Sequence, residues 1–278
     1  MRKPIFLRFF AFLSFAALAI SCQNNKAKKA VETTTKEIVK TPVILVHSAW
    51  LGGWQWESVV ANLDAKTLSI STPDLAGHGE DSTPANEITM DNYVNALVDL
   101  IDHQSEPVIL VGHSFNGITI SRVAELRPKK IKKLIYLTAF LVPNGTSFFS
   151  AVQGVQGSKA VENFYLSEDK SVALVKESEM HNAFAHDIPL ENFNAAKAHI
   201  VAEPAAPLSY ALEVSEENFG SVPKYYIECT QDKAIPIDVQ RAMYTGNVKK
   251  HFSLASSHTP NFSQPATLAK IITEIIAE

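Results

Sequence analysis

The sequence predicts an α/β fold: a mostly parallel central sheet flanked by helices, with a helical cap inserted between two of the sheet strands. Three observations predict it. Short continuous apolar runs alternate with helix-period segments from residue 41 to about residue 140, the pattern of βαβ units. One apolar run, residues 108–111, passes through Gly112, His113, Ser114, Phe115 and Asn116 directly into an amphipathic helix. The alternation then stops near Pro143 and resumes at Lys224, so the cap is expected at about 143–222.

Of the 278 residues, 46% are hydrophobic and 19% charged, with a formal net charge of −4. That composition suits one domain with a substantial core. No basic stripe is present, so nucleic acid is not an expected partner.

The N-terminus stands apart. Arg2, Lys3 and Arg8 flank a short apolar run, residues 9–20, that ends in Ser21 and Cys22. A positive start, a short apolar stretch and a small residue before a break describe an export signal over residues 1–22. Ala19-Ile20-Ser21-Cys22 also resembles a bacterial lipobox, which would make Cys22 the lipidated first residue of the mature chain. Residues 23–40, rich in lysine and threonine, read as a polar tether. The expectation is an exported, periplasm-facing bacterial lipoprotein that touches the membrane through its lipid alone. Oligomeric state is left open. The remaining cysteine, Cys229, lies in an apolar segment and reads as a buried strand residue. No Cys/His cluster has metal-ligand spacing, and no complete glycine loop for phosphate is present, so no metal or cofactor is expected.

The domain then occupies residues 41–278. Residues 41–50 form an apolar run suited to an internal parallel strand. Residues 54–65 read as a helix, with Trp56, Val59, Val60 and Leu63 on one face. A short strand covers 68–73, and Thr89 caps a helix to about His103 with Tyr93, Leu97, Leu100 and Ile101 inward. The strand before Ser114 and its helix follow, the latter ended by Pro128. Residues 131–140 give the next strand. Between about 143 and 220 no convincing strand appears. Residues 224–230 and 248–256 complete the sheet, and residues 264–278 form a closing helix.

A buried strand turning sharply into a helix, with serine at the turn, is the layout of a nucleophile elbow. Gly112 supplies the small residue before Ser114, whereas Asn116 stands where glycine is usual and Gly117 comes one place late. Nucleophilic serine needs a base and a carboxylate that orients it. Asp232 directly follows the strand 224–230, and His258 follows the last strand, so both share the sheet edge with Ser114. Asp238 is the alternative acid, but it falls inside the next helix.

The segments VILVHSAWLGGWQW, DLAGHG, ILVGHSFNGITISRVAE and FGSVPKYYIECTQDKAIP, with the stretch around His258, resemble α/β-hydrolases of the plant methylesterase and hydroxynitrile lyase group and their bacterial relatives. The resemblance runs from about Thr41 to the C-terminus and is weakest over 145–190. It implies that Ser114 is the nucleophile, Asp232 the acid and His258 the base. It also implies that the backbone N–H groups of Ala49 and Phe115 form the oxyanion hole. Ser48 follows His47 where the esterases usually carry glycine, and some of the lyases carry threonine there. Those lyases have a lysine after the histidine base, to stabilise departing cyanide, where this chain has Thr259.

The expected activity is therefore hydrolysis of a small, mainly apolar carboxylic ester or lactone through an acyl-enzyme on Ser114. A ligand-binding protein of the same fold with little turnover is the alternative, and a hydroxynitrile lyase the lesser one. Ser48 and Trp50 are candidate substrate contacts. Phe148, Phe149, Phe164, Tyr165, Phe184 and Phe193 are candidate pocket walls, at least half of them expected in cap packing instead. His47 and His78 are expected to be structural, His113 to pack beside the elbow, and His181 and His186 to lie half-exposed in the cap. Trp54 and Trp56 read as packing residues, and Asp187 and Glu191 as solvated helix-end charges. Asn116 is expected to do nothing chemical, the alternative being that its amide reaches the oxyanion loop near Ser48.

Cys22→Ser is expected to abolish lipidation, leaving the protein unprocessed or soluble. Wild-type protein recovered in the soluble periplasmic fraction, beginning at Gln23 or later, contradicts the lipoprotein reading.

Overall fold

The computed structural model describes residues 39–278. The expected signal segment, Cys22 and nearly all of the tether lie outside the described residues.

The main sheet has six parallel strands, β1 (Thr41–Val46), β2 (Leu68–Ser71), β3 (Val108–His113), β4 (Ile131–Leu137), β8 (Lys224–Cys229) and β9 (Lys250–Leu254), in the order β2-β1-β3-β4-β8-β9. The inner strands are apolar runs because helices cover both faces: every residue of β3 and β8 is buried. Edge strands β2 and β9 are only partly buried, in keeping with their mixed sequences. Strand β4 ends at Leu137, short of the expected residue 140, because Thr138 leaves the ladder with φ +35°.

The helix Met90–Asp102 begins with a capping box, in which the Thr89 N–H donates to Asn92 Oδ1 at 2.8 Å. Tyr93, Val94, Leu97, Val98 and Ile101 are its buried face, with Leu100 half-buried. The expected helix over 54–65 is instead a 3-10 turn, Gly53–Trp56, and one α turn, Glu57–Val60. The chain stops there because Asp64 takes over as a turn residue. Its carboxylate accepts from Lys66 N at 2.9 Å, and its carbonyl from Thr67 N and Leu68 N.

The insertion lies between β4 and β8. It is not purely helical: β5 (Phe164–Leu166), β6 (Val172–Val175) and β7 (Glu203–Pro204) form a small antiparallel sheet beside the helices Glu177–Phe184 and Leu190–Lys197. These strands are too short for an alternating pattern to show. The last contains a proline, which is tolerated where no ladder donor is needed. No helix among the described residues is long and apolar enough to cross a membrane.

Candidate active site

The site begins with a backbone constraint. Ser114 has φ +57°, a left-handed conformation unusual for a residue with a Cβ. It is fixed by Ser114 N donating to Leu137 O at 3.2 Å and by Phe140 N donating to Ser114 O at 3.0 Å. Gly117 allows the helix Asn116–Leu126 to lie against this crossing, since a Cβ there would sit 2.6 Å from Phe140 O. The close approach that demands glycine is thus at Gly117.

Asn116 is freed for another task. It is buried and helical, with no positive φ, and its Nδ2 donates to His47 O at 2.7 Å while its Oδ1 accepts from Thr119 at 2.6 Å. Its amide ties the elbow helix to the loop carrying Ser48 and Ala49.

Asp232 and His258 meet as the order of strands requires. His258 Nδ1 donates to Asp232 Oδ2 at 2.7 Å, with both side chains buried. Thr138 Oγ1 donates to the same oxygen at 2.5 Å, and Ala234 N and Ile235 N donate to Oδ1 at 2.7 and 2.9 Å. A carboxylate satisfied in this way can orient an imidazole and offset its charge without changing position. Asp238 lies exposed in the first turn of the helix Ile237–Tyr244, away from His258.

Ser114 and His258 line one cleft, though Ser114 does not hydrogen-bond His258 in this state. Such contacts commonly tighten when substrate binds. The backbone N–H groups of Ala49 and Phe115 have no acceptor among the described residues, although both residues are buried. Two buried free donors beside a serine are what a developing oxyanion needs.

A second network sets the loops. Gln55 Oε1 accepts from Ser48 N at 3.1 Å and its Nε2 donates to His113 Nδ1 at 3.1 Å. His113 Nε2 then donates to His258 O at 2.9 Å, so its partners fix the tautomer. Burial, and next the nearby His258 ring, hold His113 well below the ordinary histidine range. His47 is likewise lowered, to about 3, by burial and then His78. It donates from Nδ1 to Ser48 O and accepts Leu75 N on Nε2. Both rings are neutral scaffolding.

His78 differs. Its Nδ1 faces Ala76 O at 3.0 Å and its Nε2 faces Glu203 Oε2 at 2.8 Å, so both nitrogens must carry protons. Burial pushes its pKa down, but the charge and hydrogen bond of Glu203 outweigh this and the net direction is up.

The cleft is narrow, about 30 Å³, and chiefly apolar, walled by Trp50, Trp54, Phe184, Phe193, Ile200 and Phe262. Trp54 therefore faces the cleft and is not simply a core residue, whereas Trp56 is fully buried. Of the six cap aromatics, only Phe184 and Phe193 reach the cleft. Phe148, Phe149 and Phe164 pack against one another with edge-on and tilted rings, and Tyr165 is exposed. His181 donates to Ile188 O inside the cap, and His186 is half-buried there. Glu191 is exposed, but Asp187 is not a solvated charge: its Oδ2 accepts from Ser257 N at 2.8 Å, beside His258. Phe184 O accepts from Ser257 Oγ and Thr259 Oγ1 at 3.0 and 2.9 Å, which fastens the cap to the histidine loop. No metal-holding cluster occurs among the described residues.

The sheet order, the serine at its carboxyl edge and the inserted cap define the α/β-hydrolase architecture. Residues 43–271 match the model of the alpha/beta hydrolase family, and the chain belongs to that family. It is 33% identical over 245 residues to a chloroplastic Arabidopsis thaliana protein named as methylesterase 11, covering 84% of this chain and 63% of that one. The chain thus spans less than two thirds of that relative's length. An alpha-hydroxynitrile lyase of the same plant is 31% identical over 253 residues, covering 84% and 96%. Among solved structures, that of a pyrethroid hydrolase aligns with TM-score 0.75 and 27% identity over 86% of this chain and 98% of that one.

Because His78 is raised above its unfolded value, near 6.5, the ion pair's contribution to stability is complete below about pH 6.5. It is lost as pH rises through the raised value. The wild-type unfolding midpoint should decline relative to that of His78→Gln as pH rises above about 6.5. Parallel curves for the two proteins contradict this.

Proposed function

We propose that the protein hydrolyses small carboxylic esters or lactones through an acyl-enzyme on Ser114. The observation that carries the reading is one apolar cleft lined by Ser114, Ala49 and an oriented His258, with the backbone amides of Ala49 and of Phe115, next to Ser114 in the chain, both unpartnered among the described residues.

In this reading Ser114 Oγ attacks the carbonyl carbon as His258 Nε2 takes its proton. The carbonyl oxygen, now negative, accepts from Ala49 N–H and Phe115 N–H. Asp232 stabilises the imidazolium through Nδ1–H. Collapse of the tetrahedral intermediate breaks the C–O bond, and the departing alkoxide takes the proton from His258 Nε2. Water then attacks the acyl group with His258 again the base, releasing the acid and restoring Ser114. Trp50, Phe184 and Phe193 favour a compact apolar substrate. Similarity to proteins named as a methylesterase and a pyrethroid hydrolase supports ester chemistry.

Similarity to a hydroxynitrile lyase keeps cyanohydrin cleavage as a second reading, and Ser48 lines the cleft. Against it, no lysine or arginine among the described residues lines the cleft, so none of them holds an ammonium ready for cyanide. Thr259 cannot supply that charge, and its hydroxyl is bonded to Phe184 O.

Chromogenic short-chain esters should be turned over, with cyanohydrin cleavage near background. Ser114→Ala and His258→Ala should each lower kcat by about 10⁴-fold or more, and the double variant little further. Asp232→Asn should be severe and Asp238→Asn mild. Efficient cyanide release overturns the ester reading, binding without Ser114-dependent turnover supports the binder, and a worse Asp238→Asn reassigns the acid.

A further inference from the structure

Trp50, directly after the oxyanion donor Ala49, is held in a strained backbone conformation by the cap. Its φ is +65°. An aromatic residue adopts that region only where the surroundings impose it. Three contacts do so, all from the insertion. Trp50 N donates to Glu203 Oε2 at 3.0 Å, Trp50 O accepts from Val201 N at 3.0 Å, and Trp50 Nε1 donates to Ala173 O at 2.9 Å.

Glu203 is the charged member. It is fully buried on β7. Its Oε2 accepts from both Trp50 N and His78 Nε2, and its Oε1 accepts from Tyr93 OH at 3.1 Å. Burying a carboxylate is costly unless it is paired and fully bonded. Here it is both, and one of its bonds goes to the backbone beside the oxyanion hole. From the core side the same loop is held by Asn116 at His47 O and by Gln55 at Ser48 N. Ala49 thus sits between residues anchored from opposite directions, while its own N–H remains free.

The geometry points to Glu203 as a positioning residue for the reaction: by accepting Trp50 N–H, it sets the Ala49–Trp50 backbone so that the Ala49 amide faces the oxyanion. It touches no substrate and does not line the cleft. The inference rests on the acyl-enzyme reading of Ser114. An interaction that matters only once the carbonyl oxygen becomes negative should appear in kcat and leave KM nearly unchanged.

The chemistry of the carboxylate supplies the test. Glu203→Gln keeps an acceptor oxygen for Trp50 N and His78, and its amide can donate to the Tyr93 hydroxyl, which accepts as well as donates. Glu203→Met keeps length but removes the acceptor. On a chromogenic ester, Glu203→Met should lose at least about tenfold in kcat with KM within about threefold, and Glu203→Gln should stay within about threefold of wild type in both. Tyr93→Phe, which removes another bond to the same carboxylate, should lower the unfolding midpoint with kcat within about twofold.

If Glu203→Met does not fold, His78→Phe/Glu203→Met removes both buried charges together and should show the same kcat loss. Equal kcat in the Met and wild-type proteins overturns the proposal, as does a kcat loss in Tyr93→Phe or Glu203→Gln matching that of Glu203→Met. Those outcomes would leave Glu203 a purely structural residue. Wild-type turnover that Ser114→Ala does not abolish overturns the acyl-enzyme reading itself, and Glu203's role in it falls with it. With Ser114-dependent turnover established, the ratio of variant to wild type reports on Glu203 alone.

Discussion

The corner at Ser114 is the constraint on which the rest of the structure depends. A left-handed serine between β3 and the helix Asn116–Leu126 projects its hydroxyl at the sheet edge, at the cost of an unfavourable backbone conformation of order 1–3 kcal/mol. That cost is offset by close packing. Gly112 and Gly117 leave no room for a Cβ, which would meet Ile120 Cδ1 at 2.8 Å and Phe140 O at 2.6 Å respectively. Helix and strands therefore approach near enough for Leu137 O and Phe140 N to bind the serine backbone. The same approach brings Asn116 within reach of His47 O, so the corner and the loop carrying Ser48 and Ala49 form one unit.

Around that unit the buried polar groups divide into two kinds. His47 and His113 are neutral spacers whose two nitrogens have assigned partners, and burial keeps them uncharged. Asp232, Glu203 and Glu228 are buried acids surrounded by donors: Glu228, for example, accepts from Arg241, Tyr244 and Ser253 and is held at about 2 against the upward push of burial. Low dielectric makes each of these bonds strong and each missing bond expensive. The cap enters this scheme directly. Glu203 reaches the Ala49–Trp50 loop and Asp187 the loop carrying His258, so the insertion helps to shape both sides of the cleft as well as covering it.

The sheet, and the placement of Ser114, Asp232 and His258 at one edge of it, were legible in the sequence because each depends on local pattern. Continuous apolar runs mark strands buried on both faces, and Ser114 and Asp232 follow such runs closely, while His258 follows the mixed edge strand β9. The supporting residues were not legible. Gln55, Thr138 and Glu203 are ordinary polar residues whose partners lie far away in sequence, and only the tertiary fold selects them. Asp187 looked like a solvated charge for the same reason. Trp54 looked like core because an aromatic on a cleft wall and one in a core share the same apolar context. The cap strands β5, β6 and β7 are too short to carry a period, and the helix expected over 54–65 failed where turn chemistry at Asp64 outweighed apolar spacing.

Acid-quenching the protein during turnover of a chromogenic ester, followed by peptide mass spectrometry, tests the central claim most directly. The account predicts the acyl mass on the peptide containing Ser114 at the serine itself, with accumulation in the first turnover and none in Ser114→Ala. Ester turnover at the wild-type rate with no acylated peptide, or with the acyl group on another residue, would contradict it.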